Sequence, residues 1–260
     1  MKRVLFTAKG DWAQRIREFI DPARFQAVFH NFDDPALALN RFDIIVPLEL
    51  LDYEALRRRH RGGTNYLMPD EKTIALAHDK IRFNDFLMAN GFGRFVPQIY
   101  NGEVAYPFVY KKRQGSWGLD ADIIHTPQEK EAFEAQTGTS VYFKQEYVGG
   151  RIEYVTHAFA VKGRPRYFLT YEHGFDNDYF IKGKKAHYIT HREIKTPFLD
   201  VFSAILKKLD YTGTACFNFK IVNGVPKFFE MNPRYGATLT LEVNAYLDIY
   251  MNALESMAVT

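Results

Sequence analysis

The strongest constraint on the fold is the stretch ACFNFKIVNGVPKFFEMN at residues 215–232, where two alternating segments meet at an Asn-Gly pair. Asn-Gly between alternating apolar runs is the strongest short-range signal for a β-hairpin. Successive side chains of a strand point to opposite faces. The first strand therefore has an apolar and a polar face, formed by Phe217, Phe219 and Ile221 and by Cys216, Asn218 and Lys220.

The second strand of this hairpin carries a carboxylate among apolar neighbours. Glu230 and Asn232 are two residues apart and share a face, and a turn centred on Asn-Gly places Asn218 opposite Glu230. A charge in apolar surroundings is costly unless it is paired or bound to a metal. Oxygen donors beside cations such as Lys220 and Arg234 suit Mg²⁺ holding a polyphosphate. A solvated sheet face with incidental polar residues is the alternative interpretation from the hairpin alone.

Three kinds of residue near this hairpin have simpler interpretations. Lys220 adds positive charge near the oxygen donors by strand parity, but a surface lysine is the simpler interpretation. Cys216 has no His–acid pair near it in the sequence, which favours a small core-like residue over a nucleophile. The histidines at 157, 173, 187 and 191 follow no metal-ligand spacing, and a contact between one of them and a substrate is left open.

The periodicity of apolar residues changes along the chain. Residues 1–75 alternate strands with amphipathic helices, which predicts a small α/β unit with a parallel sheet. Its first strand is followed by TAKGDWAQ, where Gly10 is the only glycine, so we expect no dinucleotide site there. Later segments mix hairpin strands with helices, including predicted helices at 197–213 and about 238–257. The fold class expected is α/β followed by α+β.

Composition excludes several classes of function. A net charge of +3 fits a protein that handles anions but is weak support for nucleic-acid binding, and the basic run RRRHRGG reads as a solvated helix end and a glycine turn. No window approaches the roughly 20 apolar residues of a membrane span. One cysteine allows no internal disulfide, and the short apolar run near the start is not a signal peptide. We therefore expect a cytoplasmic protein without nucleic-acid or membrane partners.

Four motifs follow one another in the sequence: HDKIRF, YPFVYKKRQGSWG, FKQEYVGGRIEY and FNFK followed by FFEMNPR. In this order and spacing they resemble the ATP-grasp superfamily, and most closely the ATP-grasp units of carbamoyl-phosphate synthetase large subunits. The plan is also similar to that of D-alanine–D-alanine ligase. The resemblance implies a small N-terminal α/β (pre-ATP-grasp) domain at 1–75 and a two-lobed ATP-grasp fold, with lobes at 76–145 and 146–260.

The resemblance also implies a role for each matching residue. The phosphates of ATP would meet Lys80, Lys111 and the loop residues Gly115, Ser116 and Gly118. Glu146, Tyr147 and Val148 would line the adenine site, and Glu153 would accept hydrogen bonds from the ribose. Asn218, Glu230 and Asn232 would bind two Mg²⁺ ions, with Mn²⁺ as a substitute. Arg234 and Lys111 would stabilise the transferred phosphoryl group.

The function that the resemblance implies is an ADP-forming ligase that joins a small carboxylic acid or amino acid to an amine, or to a thiol, through an acyl-phosphate. A regulatory protein with a degenerate nucleotide site, and a phosphoryl transferase that forms no amide, stay open. The substrate site is expected between the N-terminal unit and residues 171–195. There, an anionic substrate and plain solvent are equally good partners for Lys182, Lys184, Lys185 and Arg192. Homodimerisation is left open.

Overall fold

The computed structural model describes residues 1–115, 118–137, 141–183 and 186–258. The chain begins with a parallel three-stranded sheet in the order β2-β1-β3, as the sequence predicts. Its elements are β1 (Lys2–Thr7), α1 (Gly10–Phe19), β2 (Phe25–His30), β3 (Ile44–Val46) and α2 (Leu50–Arg59). β1 and β3 are apolar and buried at their centres, which fits a sheet covered by helices.

Two short helices follow, α3 (Glu71–His78) and α4 (Lys80–Ala89). Asp79 separates them because its backbone is extended and its carboxylate caps α4, accepting hydrogen bonds from the backbone N–H groups of Ile81 and Arg82 at 3.0 and 3.2 Å. An acidic residue at this position is the preferred N-cap chemistry. The cap places Lys80 at the first position of α4.

An antiparallel four-stranded sheet comes next, in the order β4-β7-β5-β6. Its elements are β4 (Ile99–Tyr100), β5 (Phe108–Lys112), β6 (Ala121–Ile124), α5 (Pro127–Thr137) and β7 (Tyr142–Glu146). Phe108, Tyr110 and Ile124 form its small core. The predicted strand in YPFVYKK is therefore confirmed as β5, which ends in two lysines.

The largest sheet is antiparallel and has the order β10-β9-β8-β11-β12. Its elements are β8 (Ile152–Val161), β9 (Arg164–Gly174), β10 (Thr190–Ile194), α6 (Leu199–Lys208), β11 (Gly213–Val222) and β12 (Val225–Asn232). Asn223 and Gly224 both have positive φ, +50° and +76°, which matches the predicted Asn-Gly hairpin turn. Asn218 pairs with Glu230, confirming the predicted register.

The two faces of the large sheet pack against different partners. On one face, the aromatic residues Phe217, Phe219 and Phe228 pack with Phe202 of α6 and with α4. On the other, Phe159 meets the last helix, α7 (Val243–Ala258), and α1 packs against the 3₁₀ segment Ala237–Glu242. The predicted last helix thus starts later, because residues 237–242 form 3₁₀ turns. The predicted helix at 197–213 is also shorter, ending at Lys208.

The helices in the described ranges are all too short or too polar to cross a lipid bilayer. The division of the chain at residues 75 and 145 stays a prediction, as does the identity of the N-terminal unit as a pre-ATP-grasp domain.

Candidate active site

A cavity of about 590 Å³ lies between the four-stranded and five-stranded sheets. Every predicted site residue that the structure describes lines it: Lys80, Lys111, Gly115, Gly118, Glu146, Tyr147, Val148, Glu153, Asn218, Glu230, Asn232 and Arg234. Ser116 lies outside the described residues, as do Lys184 and Lys185. The structure therefore gathers residues that are spread over more than 150 positions of the chain into one site.

Glu230 stands at the centre of the predicted metal cluster. Its Oε1 accepts hydrogen bonds from the side-chain amides of Asn218 and Asn232, both at 2.9 Å. Its Oε2 lies 3.3 Å from Nζ of Lys80. Burial alone would raise the pKa of Glu230, but Lys80, the amide of Asn232 and Lys111 outweigh it and lower the pKa to about 2. Glu230 is therefore ionised at neutral pH.

Two lysines lie near this carboxylate, Lys80 at the start of α4 and Lys111 on β5 of the four-stranded sheet. Lys80 Nζ donates to the carbonyl oxygen of Gly115 at 3.1 Å, so it ties the loop after β5 to α4. Lys111 is 9% exposed, and its Nζ lies 3.4 Å from the carbonyl oxygen of Phe229. Burial, together with the charge of Lys80, lowers the pKa of Lys111 to about 7 despite the attraction of Glu230. Lys111 is thus poised to take up a proton when an anion arrives.

An ion pair that the sequence motifs did not indicate positions these lysines. Arg113 Nη2 lies 2.7 Å from Oδ2 of Asp79, the residue that caps α4. Burial opposes ionisation of Asp79, yet its hydrogen bonds from Arg113 prevail and lower its pKa. The backbone N–H of Lys80 also donates to the carbonyl oxygen of Arg113. The start of α4 and the end of β5 are therefore held together.

The segment between β7 and β8 forms the predicted adenine region. The Glu146 carboxylate is turned toward β4, where it accepts a hydrogen bond from the backbone N–H of Gln98 at 3.0 Å. The Tyr147 hydroxyl donates to the carbonyl oxygen of Asp178 and accepts from the backbone N–H of Phe180. Tyr147 and Val148 line the cavity. This segment thus connects the two sheets and the loop that covers them.

The interpretation of Lys220 as a surface residue is wrong. The side chain is 3% exposed, and its Nζ donates to the carbonyl oxygens of Val148 and Gly150 at 3.0 and 2.8 Å. It also lies 4.1 Å from the ring centroid of Phe180. Burial lowers its pKa to about 8. Lys220 therefore holds the segment after β7 in place, because its side chain extends from β11 to the carbonyl oxygens of Val148 and Gly150.

Glu153 is buried. Its carboxylate lies 2.6 Å from Nζ of Lys182, which also donates to Oδ1 of Asn218 at 3.1 Å. Lys182 belongs to the segment 171–195, whose lysines the sequence left as either substrate contacts or solvated side chains. Lys182 is therefore not simply a solvated side chain, because it contacts both Glu153, the predicted ribose residue, and Asn218, a predicted metal ligand.

The donor set at Glu230 is suited to a hard cation. Among the described residues, no group of three or more His, Cys, Asp or Glu side chains is placed to hold a metal ion. Mg²⁺, however, is usually bound by one or two carboxylates together with substrate phosphates and water. Glu230 provides one carboxylate, and Asn218 and Asn232 provide amide oxygens, of which that of Asn218 already accepts from an ammonium. The residues fit one Mg²⁺ shared with a phosphate.

The far end of the cavity contains residues to which the sequence assigned no role. Trp12 and Arg15 from α1, together with His157, His173 and Tyr188 from the large sheet and its covering loop, line it. Period-2 alternation could have placed His157 on the same face of β8 as Glu153. The four motifs do not indicate this part of the cavity, because its residues lie on several different elements. Cys216 is buried as predicted, and burial raises its pKa to about 11, which fits a core-like thiol.

No protein-family model matches the sequence, and neither does any curated protein. Solved structures do match over nearly the full chain. D-alanine–D-alanine ligase from Bacillus anthracis complexed with ATP gives a TM-score of 0.66 at 13% identity, covering 98% of this chain and 97% of that chain. Phosphoribosylamine–glycine ligase from Thermotoga maritima gives 0.67 at 15% identity, covering 96% and 75%.

L-amino acid ligase from Bacillus licheniformis gives a TM-score of 0.64 at 16% identity, covering 94% of this chain and 69% of that chain. Similarity at this level of identity establishes the fold. The ATP-grasp superfamily that the four motifs indicated, and the closer resemblance to carbamoyl-phosphate synthetase units, stay predictions. The chain has a mixed α/β fold that is similar to the folds of these three ligases.

Proposed function

We propose that the protein is an ATP-dependent, ADP-forming ligase that activates a small carboxylic acid or amino acid and joins it to an amine. One observation carries the proposal. Lys111 and Arg234 line the cavity, and neither has a carboxylate within ion-pair distance among the described residues, whereas Glu230 and Glu153 are already paired with Lys80 and Lys182. A cavity lined by basic side chains that have no carboxylate partner attracts a polyanion.

The nucleotide is held by both sheets in this proposal. Lys80 and Lys111 contact the phosphates, since ammonium groups form charge-assisted hydrogen bonds with them. Gly115 and the loop around it cover the phosphates. Backbone groups of Tyr147 and Val148 meet the adenine edge, and the Glu146 side chain serves to anchor this segment to β4.

Glu153 is the proposed partner of the ribose hydroxyls, an exchange that requires Lys182 to leave its carboxylate. Lys182 then has the negative charge of the phosphates as its new partner. Glu230, Asn218 and Asn232 would hold Mg²⁺, which neutralises phosphate charge as the γ-phosphoryl group departs. The donor set favours a single ion over the two that the family resemblance implied.

The chemistry needs no protein nucleophile. A carboxylate oxygen of the substrate attacks the γ-phosphorus in line, the bond to the bridging oxygen breaks, and ADP leaves. Arg234 and Lys111 offset the charge that spreads over the phosphoryl oxygens. The amine of the second substrate then attacks the acyl carbon, losing a proton, and inorganic phosphate departs with the C–O bond electrons. The protein contributes positioning and charge.

The names of the similar structures support this reaction class, since D-alanine–D-alanine ligase and L-amino acid ligase are among them. Within the superfamily, we retain the resemblance of the motifs to carbamoyl-phosphate synthetase units as a proposal. A phosphoryl transferase would use the same nucleotide site, and the mass of the product separates it from a ligase.

The test is a phosphate-release screen over pairs of amino acids and small acids with Mg²⁺ and ATP, followed by mass spectrometry of the product. We expect ADP, phosphate and an amide in equal amounts for at least one pair. Glu230→Gln should abolish turnover, because it removes the only carboxylate of the donor set. Glu103→Gln is the matched control, since Glu103 is exposed and does not line the cavity. Normal turnover of Glu230→Gln would show that the proposed site is wrong.

A further inference from the structure

Two buried imidazoles at the far end of the cavity have ring nitrogens without hydrogen-bond partners among the described residues. His173 is 2% exposed, and neither of its ring nitrogens is paired. His157 is fully buried; its Nε2 lies 2.7 Å from the hydroxyl of Thr238, but its Nδ1 is unpaired. Both side chains line the cavity. Because a buried polar atom without a partner costs about 1–3 kcal/mol, this arrangement points to a ligand.

The position of these imidazoles places them beyond the reacting centre. His157 on β8 is directly opposite Cys216 on β11, which is directly opposite Asn232 on β12. Two strand spacings separate His157 from Asn232, about 10 Å along the sheet, whereas Asn218 is on the adjacent strand, opposite Val155. His173 lies one strand farther, opposite Glu153. A group bound here therefore belongs to the part of a substrate that is remote from the γ-phosphate.

The charge around the imidazoles is positive. Burial, followed by Lys182 and Arg234, lowers the pKa of His157 to about 3, and burial followed by Lys182 does the same for His173. Arg15 of α1 acts in the same direction on the neighbouring His191. Of the acidic residues that line the cavity, Glu153 lies directly opposite His173 and is paired with Lys182, and Asp11 is exposed in the first turn of α1. Both imidazoles are neutral at pH 7 and can each donate one hydrogen bond.

Aromatic and imidazole rings form the walls at this end of the cavity. His173 stacks on Tyr188 with ring centroids 4.7 Å apart, and His191 stacks on Tyr171 at 4.4 Å. Trp12 lines the opposite side. Such walls exclude bulk water from the imidazoles and strengthen the interaction of a charge with the nearby cations. An ammonium group would be repelled there, whereas an anionic oxygen would find N–H donors.

We infer that His157 and His173, with Arg15 near them, form a subsite for a second anionic group of the substrate, so that the ligase acts on an acid carrying a distal carboxylate or phosphate. The inference rests on the proposed function, because the first carboxylate is the one activated at Arg234. It narrows the substrate class to dicarboxylic acids, acidic amino acids and phosphorylated acids.

The test is calorimetric titration at pH 7 with matched small acids, with and without Mg²⁺ and ADP. Succinate, glutarate and adipate are compared with butyrate, valerate and hexanoate of equal carbon number. 3-Phosphonopropionate distinguishes phosphate from carboxylate recognition, and 4-aminobutyrate places an ammonium at the distal position. We expect one dianion to bind at least tenfold more tightly than its matched monoacid, and 4-aminobutyrate to bind more weakly than butyrate.

The variants His173→Phe and His157→Asn should reduce this selectivity ratio to near unity while the affinity for the monoacid is kept. His30→Phe is the control, since His30 is on β2 and does not line the cavity. A general structural defect would weaken monoacid, dianion and ADP binding together. The measured ratio therefore reports the imidazoles themselves.

Three results would overturn the inference: equal affinity for dianions and monoacids, tighter binding of 4-aminobutyrate than of butyrate, or selectivity that survives in both histidine variants. Mg²⁺-dependent ADP binding in the same experiments would leave the proposed function intact. Failure of the proposed function alone would give a different result. Histidine-dependent selectivity for dianions in a protein that binds no ADP would overturn the proposed ATP chemistry and support the subsite. Selectivity for the phosphonate over the dicarboxylates would support the anion subsite and identify a phosphorylated acid.

Discussion

Nucleotide binding should be coupled to proton uptake at Lys111. The lysine is nearly buried and its pKa is about 7, so at pH 8 about one molecule in ten carries the proton. A phosphate in contact with Nζ favours the charged form and raises this pKa. If contact restores the ordinary value of 10.5, the bound state is fully protonated at pH 8. Binding then takes up about 0.9 proton.

The same shift in the pKa of Lys111 determines how the affinity for the nucleotide depends on pH. Because the protonated lysine is the form that binds, the affinity is highest below pH 7 and falls as pH rises above 7. A pKa difference of about 3.5 units corresponds to about 5 kcal/mol. The affinity should fall about tenfold per pH unit above pH 7.

The assay is calorimetric titration of the protein with ADP and Mg²⁺ at pH 8, in buffers of different ionisation enthalpy. At this pH the nucleotide phosphates are already deprotonated, since the second phosphate ionisation has a pKa of about 6. The slope of observed enthalpy against buffer enthalpy gives the number of protons taken up. Lys111→Arg is the matched variant, because a guanidinium stays charged. We expect about 0.9 proton for the natural chain and near zero for the variant. Equal uptake in both would refute the assignment of the proton to Lys111.

Two further predictions concern packing around the cavity. Lys220→Met should weaken ATP binding about tenfold and leave tripolyphosphate binding unchanged, because Lys220 braces the proposed adenine segment through the carbonyls of Val148 and Gly150; competition binding of the two ligands measures this, and equal losses would contradict it. Gly236→Ala should lower the free energy of unfolding by about 1–3 kcal/mol, since its Cβ would lie 2.3 Å from Cε1 of the buried His157. Thermal unfolding against Gly102→Ala, which has open space around it, provides the control.

Local sequence patterns were sufficient to predict helices and strands and the register of the hairpin formed by β11 and β12. Alternation and an Asn-Gly turn placed Asn218 opposite Glu230 because both signals act within 18 residues. Burial of Lys220 could not be predicted in the same way. Its partners are carbonyl oxygens 70 and 72 residues away, which no periodicity on β11 encodes.

The histidine subsite shows the same limit at larger scale. The spacing of His157 and His173 along the chain corresponds to no motif, because they come together through the pairing of β8 with β9 and not through a local turn. Arg15 reaches the same region from α1, more than 140 residues away in sequence. Contacts between distant elements depend on the packing of the N-terminal unit against α7 and the large sheet, which a single sequence does not specify.

The distribution of ion pairs connects these observations. Glu230 is paired with Lys80 and Glu153 with Lys182, so the carboxylates at the proposed metal and ribose positions already have ammonium partners. Breaking a buried pair by removing one partner is expensive, whereas exchanging one partner for another is not. A nucleotide that brings both phosphates and a divalent cation supplies the replacement for each partner at once: the cation for Glu230, and the phosphates for Lys80 and Lys182. At the Glu230–Lys80 pair, phosphate alone would leave Glu230 without a partner, and metal alone would leave Lys80 without one. Nucleotide and Mg²⁺ should therefore bind cooperatively at this site.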